Sequence, residues 1–180
     1  MSLCDSCGAE ARFFISDGEG KDIARYCLDC HNKMMAETYS IELPKEIPNR
    51  LWVVDDQGVE RCFDIEFILF GHANKLEANE RGASKYRCVV FGEPNEPFSL
   101  LWNELIERIT KSINVKYLSE DKWPVQSKMV GYIEYNSETE SCDLIIDGRT
   151  LDMEELQKVI SGHEGFQIKV EFADETDDIE

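Results

Sequence analysis

At 180 residues, 42% hydrophobic and 31% charged, the chain carries enough apolar material for a core, which argues against wholesale disorder. It contains no run of about 18 apolar residues, so no transmembrane helix is expected, and MSLCDSCGAEARFF lacks the basic and apolar regions of a signal peptide. A formal charge of −18 repels phosphate backbones, so direct nucleic-acid binding is not expected. The charge is uneven: residues 126–180 hold 15 acids against 4 bases, whereas residues 1–40 hold 7 against 4. Seven cysteines without an export signal point to a reducing, cytoplasmic setting, where metal binding outranks disulfides.

Four of those cysteines follow the spacing Cys4-x2-Cys7-x19-Cys27-x2-Cys30. A Cys-x-x-Cys pair puts two sulfurs on one ion from a single tight turn, and a second pair completes a tetrahedron. Cys27-x-x-Cys30-His31 also has the spacing of a haem attachment site or a thiol redox pair, but either reading leaves Cys4 and Cys7 unexplained. Four thiolates suit structural zinc, with iron the alternative. His31, next to Cys30, is expected to point away from the metal. Between the pairs, ARFFIS and DIARY flank DGEGK and predict a hairpin; HNKMMAETYS predicts a short helix. These residues (CDSCG, the hairpin, and CLDCH leading into a helix) resemble the treble-clef and zinc-ribbon group of small zinc modules. The resemblance covers residues 1–40 and implies a metal site, not an activity.

Residues 41–50, with two prolines, predict a linker, and with it that the 50–175 region folds without residues 1–40, as a 46–180 fragment would show. LWVV and VERCFDIEFILF predict strands about the turn DDQG; NKLEA and SKYRCVVF predict a hairpin. FSLLWNELIERITKSI places Leu101, Trp102, Leu105, Ile106, Ile109 and Ile113 on one helical face. VKYLSEDKWPVQS predicts a short strand and a loop. KMVGYIEY and CDLIID predict a hairpin, and Asp152 with Glu155 a capping box opening the helix MEELQKVIS. Phe166, Ile168, Val170 and Phe172 alternate with polar residues and predict a last strand, giving a β-β-α-β unit. The segment from Ile146 to Phe172 is similar to a C-terminal segment of uncharacterised bacterial proteins. The fold class expected is therefore α+β: a cysteine-ligated module over 1–40, a linker over 41–50, a mainly antiparallel sheet domain with two helices over 51–173, and an acidic tail over 174–180.

No phosphate loop, dinucleotide fingerprint, metalloprotease helix or nucleophile elbow occurs. His163 beside Glu164 has the chemistry of an acid–base residue, but the turn setting suits a solvated histidine better, as it does for His72. Cys62, Cys88 and Cys142 fall on predicted strands and read as structural thiols. Asp143, Asp147, Asp152, Glu154 and Glu155 read as capping and solvating groups rather than as a metal or acid–base pair. Trp52 and Trp123, near loops, are candidates for a binding surface. The expectation is a non-enzymatic zinc-binding protein with Cys4, Cys7, Cys27 and Cys30 as ligands, working through a protein partner, possibly a basic one. Two alternatives remain open: a nucleic-acid-associated regulator or acidic DNA-mimic-like inhibitor, and an enzyme using His163 or a strand cysteine.

Overall fold

The computed structural model describes residues 2–83 and 85–174. It is α+β, with three antiparallel sheets and three helices. The first sheet is the predicted hairpin, β1 (Phe13–Ser16) with β2 (Asp22–Tyr26), followed by α1 (Leu28–Tyr39). The second has the order β3 (Arg50–Val54), β4 (Glu60–Leu69), β5 (Asn74–Glu80) and β6 (Arg87–Gly92). Helix α2 (Phe98–Asn114) packs on its inner face. The third sheet holds β7 (Tyr132–Asn136), β8 (Ser141–Ile146) and β9 (Arg149–Leu151), followed by α3 (Met153–Ser161).

Period-two patterning sets the main core. Phe63, Ile65, Phe67 and Leu69 of β4 face inward with Leu76 and Ala78 of β5 and Cys88 and Val90 of β6. Opposite them, α2 buries Leu101, Leu105, Ile109 and Ile113, a stripe at i, i+4 spacing along one side of the helix. A smaller core forms where α3 brings Leu156 onto Leu118, Ile146 and Leu151. The two sheets meet at a turn. Asp147 and Gly148 both have positive φ, 53° and 68°, as a two-residue hairpin turn requires. Gly148 lies so close to the Tyr86 ring that a Cβ there would sit 2.6 Å from it. The Lys85 N–H donates to the Gly148 carbonyl at 2.7 Å, and the Tyr132 hydroxyl donates to the Lys85 carbonyl at 2.6 Å.

Three expectations need correction. Residues 41–50 are no bare linker: Ile41, Leu43 and Ile47 pack against the main core, as do Met35 and Ala36 of α1. The first forty residues therefore share a core with the rest, because the segment between them contributes its own apolar surface. The strand expected around residues 115–127 is reduced to one isolated bridge, Leu118 with Pro124. The strand expected over Phe166–Phe172 does not form. Its alternation is intact, but among the described residues no other strand pairs with it, and its apolar side chains are exposed. Of the acidic tail, residues 175–180 lie outside the described residues.

Candidate metal centre

The first cysteine pair sits in a tight turn. The Gly8 N–H donates to the Cys4 carbonyl at 2.9 Å, and Gly8 adopts φ 75°, which glycine tolerates without strain. That turn is tied to β2 in both directions: the Asp5 N–H donates to the Arg25 carbonyl, and the Arg25 N–H to Asp5 Oδ2 at 2.8 Å. The second pair opens α1. Cys27 is the N-cap in extended conformation, and Cys30 lies in the first helical turn. Both positions lie at the positive end of the helix dipole, which favours a negative charge there.

All four sulfurs lie within 4.8 Å of one another, with Cys7 Sγ and Cys27 Sγ 3.6 Å apart. That is too far for a disulfide, about 2.05 Å, and all four are free thiols. The arrangement is compatible with a metal site. Among the described residues it is the one cluster of three or more histidine, cysteine or carboxylate groups so arranged. The thiols differ sharply. Burial works to raise Cys4, but backbone N–H groups of Cys27, Ser6 and Cys7 outweigh it and hold the thiol down to about 6. Cys30 is pushed up to about 12 by the side chains of Cys7 and Cys27 and by burial. Cys7 is also raised: the Ala9 N–H pulls it down, but the Cys27 and Cys4 sulfurs push it up. Four sulfurs packed this closely cannot all be thiolates without a cation among them, and a divalent ion relieves that conflict.

The residues after Cys30 do something that sequence reading missed. Beyond Asp64, β4 loses β3 as its neighbour, and its edge would present unpaired backbone groups. Helix α1 supplies the missing partner. Asn32 Nδ2 donates to the Phe67 carbonyl at 2.8 Å, and Asn32 Oδ1 accepts from the Leu69 N–H at 2.9 Å. One side-chain amide thus takes the place of a neighbouring strand. His31 points away from the cage, as expected: its Nε2 donates to the Leu69 carbonyl at 3.1 Å while its ring stacks on Phe13 at 4.0 Å. Burial lowers its pKa, and its Nδ1 has no partner. Arg12, just before β1, adds a two-pronged ion pair to Glu66 on β4. The cysteine unit is thus bolted to the edge of the main sheet.

The remaining candidates do not converge. His163 Nδ1 donates to the Val159 carbonyl at 2.7 Å and its ring meets Phe166 edge-on. Cys88 is buried beside Ser112, its thiol pushed up by burial. Cys62 is half-buried on β4, Cys142 is exposed on β8, and His72 is exposed in the β4–β5 turn. Four of the five candidate carboxylates have structural partners, and Glu154 lies exposed in the first turn of α3. Asp143 accepts from Asn136, Asp147 from the Tyr117 and Leu118 N–H groups, and Asp152 and Glu155 form the expected capping box. A cleft of about 370 Å³ between residues 41–45 and the loop before α2 contains none of these groups. Trp123 packs against Gly162 at the end of α3, while Trp52 stands 59% exposed on the open β3 edge.

Residues 45–114 match a family described as "Domain of unknown function (DUF7686)", and residues 119–177 match one described as "Domain of unknown function (DUF7713)". The first spans β3 to α2 and the second spans the third sheet and α3, so the four cysteines lie outside both matches. No curated protein and no solved structure matches the chain. No helix among the described residues is long and apolar enough to cross a membrane.

Proposed function

We propose that the chain is a non-catalytic zinc protein whose metal braces a binding scaffold that works through protein–protein contact. The observation that carries the metal is the four-sulfur cluster, with every sulfur within 4.8 Å of the others. Zinc–sulfur bonds of about 2.3 Å in a tetrahedron set neighbouring sulfurs about 3.8 Å apart, close to the Cys7–Cys27 separation of 3.6 Å. Cys4, Cys7, Cys27 and Cys30 would fill all four positions, which leaves none for substrate and favours a structural over a catalytic ion. The order knuckle, hairpin, helix, with the second pair at the helix start, supports a treble-clef reading. When bound, zinc would supply charge neutralisation and cross-linking. The chain's own residues do the bracing, through His31 and Asn32 on β4.

Protein–protein contact is supported by exposed Trp52 on an open sheet edge and by the lack of convergence among His163, Cys62, Cys88 and Cys142. The strong acidity of residues 126–180 favours a basic partner; an acidic mimic of nucleic acid is the second reading. Elemental analysis of the purified chain tests the metal. One zinc per chain is expected, lost in Cys7→Ser and Cys27→Ser; full occupancy in both variants, or iron in place of zinc, contradicts the assignment.

A further inference from the structure

Residues 166–172 belong to no sheet, and four of their alternate side chains are large and apolar. Phe166, Ile168, Val170 and Phe172 are 63–80% exposed. A strongly acidic chain gains no solubility from four large apolar groups in water. The segment leaves α3 in a defined direction. Gly165 takes φ 88°, the Phe166 N–H donates to the His163 carbonyl at 3.0 Å, and His163 is anchored to Val159. The arm therefore projects from an ordered turn.

The same chain carries an open edge of matching chemistry. β7 is the outermost strand of its sheet, paired with β8 alone. Ile133 lies across from Leu144, which lies across from Leu151, so the three share the face covered by α3. Toward β8 and β9 that face is closed; at β7 it ends in Ile133, 53% exposed, and Tyr135, 65% exposed. A strand added beside β7 would continue the sheet and lay its apolar row next to these two residues. Gln167 and the ion-paired Lys169 and Glu171 would then sit on its other face.

We propose that residues 166–172 act as a donor strand for β7 of a second copy, exchanged reciprocally to form a two-fold dimer. An unfilled edge and an unpaired strand on one chain are what a closed, self-complementary pair requires, whereas in the single chain both stay unmet. Burying the four side chains removes on the order of 500 Å² from each arm. Two arms then supply on the order of 1,000 Å² before the receiving edges are counted, most of the roughly 1,600 Å² typical of a stable interface.

Sedimentation equilibrium of the full chain over a concentration series tests this, alongside Ile168→Asp and Phe172→Asp, with circular dichroism to check that each remains folded. The expected result is a twofold rise in mass for the natural chain and a monomer for both variants. A half-labelled sample should also give intermolecular NOEs from the Ile133 methyls to the Ile168 and Val170 methyls, a readout independent of how the variants fold. A natural chain that stays monomeric, a dimer that survives both folded variants, or NOEs confined to one chain would each overturn the proposal.

Discussion

At the scale of single residues, Asn32 has the clearest energetic role. Its amide meets one backbone donor and one backbone acceptor of a buried sheet edge, and its substitution leaves both unpaired. Asn32→Ala is expected to lower stability by about 1–3 kcal/mol, read from urea unfolding with an unchanged slope. A loss below a few tenths would mean that water replaces the amide without penalty. Glu77 gives a pH prediction. Burial works to raise its pKa, but hydrogen bonds from Arg87, Lys75 and Asn79 overcome it and bring the carboxyl down to about 2 from an ordinary 4.5. A depressed acid contributes stability that is full above its unfolded pKa and lost as pH falls toward its folded one. Glu77→Gln should therefore cost about 1–2 kcal/mol at pH 7, after allowance for solvent screening, with the difference closing between about pH 5 and pH 2. A gap independent of pH would show that packing, not charge, is at stake.

At the scale of elements, the sequence was most legible where periodicity is strong. β4 and α2 carry clean period-two and helical stripes, and both formed as expected because one face of each is buried. The four ligand candidates were legible from spacing alone, since two Cys-x-x-Cys turns constrain geometry locally. Four features were not. Asn32 has no local signal, because its partners are 35 and 37 residues away. β9 is only three residues long, although Asp147-Gly148 before it is a hairpin signature that was available. The arm was misread because alternation specifies which face is apolar and says nothing of which strand lies beside it. The prolines of residues 41–50 masked Ile41, Leu43 and Ile47, and the structure reverses the expected outcome of truncation. A 46–180 fragment loses Asn32, Ile41 and Leu43 and exposes the β4 edge. It should give an amide spectrum with broadened or missing β4 resonances; a well-dispersed spectrum matching the full chain would show that the bolt is dispensable.

At the scale of the whole molecule, one helix joins the four-cysteine cluster to the main sheet. Cys27 and Cys30 fix the first turn of α1, and the next two residues, His31 and Asn32, complete β4. The proposed metal would then contribute folding free energy not only to residues 1–40 but also to the edge they cover. Hydrogen exchange at the Leu69 amide, measured on the zinc-loaded full chain before and after chelation, reads whether the cysteine cluster holds α1 on the sheet. Strong protection is expected with zinc, lost by at least tenfold without it, while the Ile109 amide in α2 changes little. Equal protection of Leu69 in both states would contradict it, because the cage would then play no part in holding α1 on the sheet.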